Sequence, residues 1–500
     1  MPEYDVAALA DLIEDTPVKV AAGGRDLVLV RQAGTVHALT HECPHLGLPL
    51  SKGVVSGDEL MCPFHHACFR LSTGGQTQPP GQGDLARFAT AIRDGRVVVD
   101  VPDDAPAHVH PRVAQLGPDG RRFVLAGAGA AAHRAAMTLR ADGFTGVIEM
   151  IAPLGPPRDR TMLSKAVLTG DRSIDDLTLV PEPEAIGVVR IEDRVVAVAP
   201  GRVTLAGGGT RAFDRLLVAP GGRPLRLDVP GADLGGIHHL RNAEQARLLA
   251  EAIAGARRAV VVGGGFIGAE AAFSLTKRGL AVEIVDRNPL PMRRLLGDRV
   301  ATVVRDELRG AGIVYRPETE VSSFDGDGQV DAVRLSDGGR IEADLVLVAI
   351  GVAPRTTEID GLPVRDGGGV AVAADLSVPG LDGVHVAGDC AFAPTPFGAA
   401  QIEHWRVAQQ HGIRAARAML GRDPADADIP FFWTALARQY RYVGHAEDWD
   451  DIAFDGDPDG PFVARYVKDG RVLAALGAGR DRDLASIHVE MRAAGGPILA

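Results

Sequence analysis

The stretch "CPHLGLPLSKGVVSGDELMCPFH" runs from Cys43 to His65 and holds two of the four cysteines in a chain of 500 residues. Each cysteine has a histidine just behind it, as Cys43-Pro-His45 and as Cys62-Pro-Phe-His65. Thiolate and imidazole are soft-to-borderline ligands that suit zinc or the iron of an iron–sulfur centre. Two loops that each bring one Cys and one His can close around a single zinc ion. They can also share a two-iron cluster, with the sulfurs on one iron and the imidazoles on the other. Cys43, His45, Cys62 and His65 are the expected metal ligands. His41 and His66 are not, and Cys68 reads as a small packed residue.

Around this stretch, short apolar runs ("DLVLVRQAGTVHAL", "ELMCPFH", "RVVVDVP") alternate with Gly-rich turns, which predicts a small all-β domain over residues 1–105. The polar, Pro-rich text that follows predicts a linker over 106–119. The chain is too long for one domain, and a hydrophobic share of 46% can fill several cores. Its 61 Gly and 33 Pro show no short period, which points to many turns and excludes collagen. With 53 basic against 65 acidic residues the net charge is −12, and without a basic stripe nucleic acid is not an expected partner. The acidic opening "MPEYDVAALADLIEDT" has no apolar core of a signal peptide, and no apolar run reaches transmembrane length. Four cysteines are not a disulfide framework. The expectation is a cytoplasmic protein without a membrane partner.

From Arg121 the pattern changes to strand, Gly turn, helix, strand: "RRFVLAGAGAAAHRAAMTLRADGFTGVIEMI". It returns 136 residues later as "RRAVVVGGGFIGAEAAFSLTKRGLAVEIVD". Such a repeat predicts two α/β domains. In the first turn, Gly127 permits the tight corner, Gly129 lets the backbone approach a pyrophosphate, and Ala132 is small enough for helix–strand packing. Gly263, Gly265 and Gly268 repeat the spacing. Asp286 ends the second strand of the second unit. A carboxylate there can accept ribose hydroxyls and repels a 2′-phosphate, which reads as NAD rather than NADP, with Arg287 and Arg293 as opposing charges nearby. The text from "PFFWTALARQYRYVG" onward is strand-like and predicts a C-terminal α+β domain.

The loops "CPHLGLPLSKG" and "CPFHHACFRLSTGG" resemble the two cluster-binding loops of Rieske proteins. From about residue 120 the chain resembles the flavin-dependent ferredoxin reductases that serve aromatic-ring dioxygenases. The supporting text is "RDRTMLSK", "LLVAPGGRP", "PGADLGGIHHLRNAEQA", "VHVAGDC", "IEHWRVAQQHG" and "PFFW". Together the parts resemble the Rieske-containing, apoptosis-inducing-factor-like branch of that family. The resemblance implies an all-β Rieske domain, two Rossmann-like domains and a C-terminal reductase domain. It gives FAD residues 120–240 and 363–425, NADH residues 241–362, and the C-terminal domain residues 426–500.

The resemblance also implies roles. Cys43 and Cys62 would hold the buried iron of a [2Fe–2S] cluster, and His45 and His65 the outer one. Arg160, Arg223, Gly388 and Asp389 match FAD-contacting positions, with Asp389 on the ribityl chain. Lys165 would lie near flavin N5, paired with Glu270 at the nicotinamide pocket. The helix near His404 and Trp405 would point its positive N-terminal end at the flavin pyrimidine edge. NADH would reduce the flavin, and electrons would leave singly through the cluster to an acceptor such as a ferredoxin or oxygenase component. The cluster would lie beside the flavin of its own chain or of a homodimer partner. An NADH-sensing interaction protein with low turnover is the alternative. Disulfide reduction is not expected, because no Cys pair stands in "RDRTMLSK".

Departures from the family pattern sharpen these expectations. Leu48 and Phe64 stand where high-potential Rieske proteins carry a disulfide, and Ala67 and Phe69 where they carry hydroxyls on the cluster sulfurs. Fewer hydrogen bonds to sulfur predict a low potential. His66 stands where Gly is common. Pro153 stands where FAD domains usually carry an acid, with Glu149 on the strand's other register, and Gln401 where an arginine is usual.

Overall fold

The computed structural model describes residues 2–106, 108, 109, 116–153 and 155–500. Of the expected linker, residues 107 and 110–115 lie outside the described residues. His108–Val109 pairs with Asp84–Leu85.

The N-terminal part is built on a six-stranded antiparallel sheet in the order Glu3–Ala8, Arg96–Asp100, Arg87–Arg93, Thr35–Thr40, Arg25–Gln32, Val18–Ala22. The run "LVLV" in Arg25–Gln32 is apolar throughout because this strand is covered on both faces. Leu27 and Leu29 pack with Phe88, Val97 and Val99, while Val28 and Val30 pack with Leu60, Phe69, Cys43 and Cys62. A four-stranded meander, Val54–Ser56, Glu59–Met61, Cys68–Arg70 and Gln76–Gln78, carries the second ligand loop between its two central strands.

Two parallel five-stranded sheets follow. The first has the order Val188–Ile191, Val147–Ile151, Arg122–Ala126, Arg215–Val218, Val384–Val386, so the chain returns to it after building the second. The second has the order Ile237–His238, Leu345–Val348, Arg258–Val262, Ala281–Val285, Val314–Arg316. Each Gly turn leads from a central strand into a helix, α1 (Ala130–Ala141) in the first unit. In the second unit α2 (Ala243–Ile253) precedes the turn, α3 (Phe266–Lys277) follows it, and α4 (Arg293–Gly310) covers the sheet. α5 (Trp405–Met419) packs against α1. The C-terminal sheet is antiparallel, in the order Phe431–Ala435, Gln439–Gly444, Arg471–Ala478, Phe462–Lys468, Asp451–Gly456, and carries α6 (Asp481–Ala494). No helix among the described residues is long and apolar enough to cross a membrane.

Candidate redox centre

The two Gly turns share one geometry. Gly127 has φ +133° and Gly263 φ +105°, backbone that favours glycine, and an added Cβ would lie 2.2 Å from the Ala219 carbonyl and 2.6 Å from that of Ala349. Gly129 and Gly265 are the N-caps of α1 and α3, without a side-chain cap, and the space where their Cβ would stand is open. Free amide donors beside open space can receive a pyrophosphate. The third positions differ: a Cβ on Gly268 would strike the Gly263 carbonyl at 2.0 Å, whereas buried Ala132 accommodates its methyl.

The strand ends differ as well. Asp286 is buried and accepts from the Gly264 amide (3.0 Å), Tyr315 (3.1 Å), and the amide and side chain of Asn288 (3.0 and 2.9 Å). Arg293 pairs with Asp298, while Arg287 has no hydrogen bond or ion pair among the described residues. In the first unit Glu149 is paired with Arg122 within the sheet. A recess at the strand ends there is lined by Ala128, Ala152, Arg190 and Glu192 instead.

Between the units lies a cavity of about 920 Å³. Lys165 stands in a wide π-type turn, Leu163–Val167, a form frequent at functional sites. Its Nζ donates to Glu270 (2.9 Å) and to the Thr161 carbonyl (2.7 Å). Glu270, on α3 and 3% exposed, also accepts from Ser164 (2.5 Å), Thr434 (2.7 Å) and the Ala435 amide (3.1 Å). Asp389 receives Arg160 at 3.4 Å and a closer contact from Arg241. Burial works against the Asp389 charge, but the two guanidiniums hold its pKa below the ordinary value. Glu403 lines the cavity with its pKa raised to about 7, by burial first and then by Asp389. Trp405 opens α5 beneath Arg160, and His404 stacks on Phe432 with centroids 4.5 Å apart. Arg223 pairs with Glu358 and does not line this cavity.

The ligand loops meet on the far side of the strand Phe431–Ala435. The Cys43 thiol donates to the Cys62 sulfur and, being buried as well, is pushed well above its ordinary value. Burial also raises Cys62, but the bond from Cys43 and those from the Phe64 and His65 amides lower it overall. The His45 and His65 rings lie 4.5 Å apart, edge to face. Burial brings His45 down to about 4 and holds His65 well below the usual range, so both imidazoles are neutral. Both ring nitrogens of His45 are buried without a hydrogen-bond partner. Paired sulfurs, paired neutral imidazoles and orphaned ring nitrogens fit a two-iron cluster. Among the described residues no three His, Cys, Asp or Glu side chains converge on a single-ion site. Ala67 and Phe69, both buried, bring no hydroxyl to the sulfurs.

Residues 121–412 match the model of the "Pyridine nucleotide-disulphide oxidoreductase" family, and residues 2–89 that of the "Rieske [2Fe-2S] domain". The chain belongs to the pyridine nucleotide-disulphide oxidoreductase family. Human apoptosis-inducing factor 3 is 32% identical, over 96% of this chain and 82% of its own. The ferredoxin–NAD(+) reductase component of the biphenyl dioxygenase system of Paraburkholderia xenovorans is 33% identical, over 72% and 90%. Among solved structures, the covalent putidaredoxin reductase–putidaredoxin complex matches with a TM-score of 0.70 at 27% identity, over 74% of this chain and 93% of that one. This member is a ferredoxin reductase-like oxidoreductase that uses FAD and NAD and carries a Rieske [2Fe–2S] domain in the same chain.

Three contributors escaped the sequence reading. Arg241 reaches Asp389 from "HLRNAEQA", Ser164 donates to Glu270 from "RDRTMLSK", and Trp433 stands between the cavity and the His65 ring. All three sit in motifs that mark the family, but only tertiary packing tells which side chain of each motif turns inward.

Proposed function

We propose that this oxidoreductase takes electrons from NADH at the cavity, delivers them singly through Trp433 to its own Rieske domain, and passes them on to a ferredoxin or an oxygenase component. One strand supports the reading. Side chains alternate along Phe431–Ala435 as a pleated strand requires. Phe432 and Thr434 face the cavity, against His404 and Glu270. Phe431 and Trp433 face the ligand loops: Phe431 stacks on His66 at 3.8 Å, and the Trp433 ring lies 4.6 Å from His65 and 5.5 Å from His45. Trp433 also lines the cavity. The Rieske domain lies against the reductase of the same chain, so this route needs no second copy.

In this reading Gly127, Gly129, Ala132, Arg160, Gly388 and Asp389 hold FAD, and Gly263, Gly265, Gly268 and Asp286 hold NADH. Cys43, His45, Cys62 and His65 hold the cluster. When bound, the flavin accepts two electrons as hydride and releases them one at a time, which the cluster requires. The Lys165–Glu270 pair, with its carboxylate buried, keeps a fixed charge arrangement at the nicotinamide end, with Thr434 and Ser164 holding the carboxylate in place. The uncapped start of α5, at His404, favours negative charge at the cavity. Anaerobic addition of NADH should raise an EPR signal of Rieske type, with an average g below that of all-Cys clusters. A protein that bleaches its flavin with NADH while the cluster stays EPR-silent would contradict the reading.

A further inference from the structure

The junction between the Rieske domain and the reductase has a small aliphatic patch, Met61 and Cys68 with Ala485, flanked by Val54 and Val489, beside the Phe431 and Trp433 rings. Hydrogen bonds and ion pairs add directional contacts across it. Four of these arms converge on one side chain, while Arg441 donates to the Phe64 carbonyl (2.6 Å) and Arg134 to Gln76 (3.0 Å) and the Gly81 carbonyl (2.7 Å) apart from it. Asp428 precedes the strand Phe431–Ala435, and its side chain is 7% exposed. Its carboxylate accepts from Arg406 (2.8 Å), Gln410 (2.9 Å) and both Nε and Nη2 of Arg492 (2.6 Å each), and lies 3.5 Å from His488 Nε2.

Every one of those partners reaches on to the Rieske domain. Arg406 Nε donates to the Pro79 carbonyl at 3.0 Å, and Gln410 donates to Gln78 at 2.9 Å. His488 Nδ1 lies 2.6 Å from His66 Nδ1. Arg492 Nη1 donates to Glu59 at 3.2 Å and to the Cys68 sulfur at 3.4 Å. Glu59 and Cys68 sit on the two strands that bracket the second ligand loop, and His66 follows His65 directly. His66 holds φ +57°, the left-handed backbone that favours glycine, and its ring is buried between Phe431 and His488. The side chain at this glycine-favouring position thus serves the junction.

We propose that Asp428 is a positioning residue that fixes the Rieske domain over Trp433 for the electron step inside the chain; this rests on the route read above. Without its charge, Arg406 is left buried without a carboxylate and Arg492 keeps only Glu59, and the arms they hold lose their direction.

The test compares the holoenzyme with Asp428→Asn by rapid mixing with NADH. Flavin reduction, ferricyanide turnover and the EPR spectrum of the dithionite-reduced cluster should stay unchanged. Cluster reduction by NADH should slow by about 10- to 100-fold, the scale of a 1 Å misplacement. Amide hydrogen exchange should rise across Phe64–His66 and Gln76–Gln78, and Asp428→Glu should recover part of the rate. Wild-type exchange together with wild-type cluster reduction in Asp428→Asn overturns the proposal. If Asp428→Asn does not fold, Gln410→Ala and Glu59→Gln each remove one arm and should shift exchange and rate in the same direction; no shift in either overturns it. If the unmutated cluster is not reduced by NADH at all, the electron route falls, and the exchange measurement alone decides the role of Asp428.

Discussion

The two faces of the strand Phe431–Ala435 are built differently. On the cavity face, about 920 Å³ stays open, and the polar groups form a small cluster around Glu270 that a ligand can reach. On the Rieske face, His66 and His488 are fully buried, Phe431 is sealed beneath them, and charged partners are tied in a closed network. The difference teaches that one side is shaped for a ligand that comes and goes, and the other for a partner that stays. A ferredoxin that docks from solution must release, whereas an acceptor domain in the same chain can be held.

Changes on either face should separate accordingly. Trp433→Ala should have the largest effect: cluster reduction by NADH becomes the slowest step, while flavin reduction changes far less. The cost in stability stays at or below about 3–5 kcal/mol, the range for a fully buried ring. Stopped-flow absorbance and thermal melts check both parts. Glu270→Ala acts on the other face. It leaves Lys165 without its carboxylate and should lower kcat/KM for NADH by about 10- to 100-fold, or roughly 1.4–2.8 kcal/mol, with the cluster EPR unchanged. Asp286→Ser should narrow an NADH preference of about tenfold, equivalent to about 1.4 kcal/mol. That is the low end for a charge clash, because four donors already hold the carboxylate and Arg287 stands beside it. Steady-state kinetics with both coenzymes reads the ratio.

The smallest effect concerns pH. Glu403 has its folded pKa raised from 4.5 to about 7, so the fold favours its neutral form. Its stabilising contribution is fully present below about pH 4.5 and is lost as pH rises through 7. Melting of the flavin-free protein between pH 5 and 8 should therefore show a downward slope that Glu403→Gln flattens.

Much of this was legible in the sequence because backbone chemistry leaves strong local marks. The spacings Cys43-x-His45 and Cys62-x-x-His65 marked the four side chains that the fold brings together, and Gly127 and Gly263 are required by positive φ at the strand ends. The short β runs showed in the alternation of apolar and turn residues, and "LVLV" was ambiguous only until both of its faces were seen covered. What did not show depends on residues far apart in the chain. Nothing in "DADIP" marks Asp428 as the meeting point of α5, α6 and the Rieske domain. Likewise, the exchange of the usual Gly for His66 has no local rationale until Phe431 and His488 are in view. The hydrogen bonding of Asp286 showed only in part, because two of its four donors come from nearby Asn288 but the others from the Gly turn and from Tyr315 on a separate strand.

The central claim is that the two redox centres of one chain work in series across Trp433. Rapid mixing of the full-length holoenzyme with NADH, following flavin and cluster absorbance separately, tests it most directly. The account predicts that the cluster bleaches within the first turnover, at a rate independent of protein concentration because the transfer is within one chain. A flavin that bleaches at once while the cluster stays oxidised through many turnovers, or a cluster rate that scales with protein concentration, would contradict it.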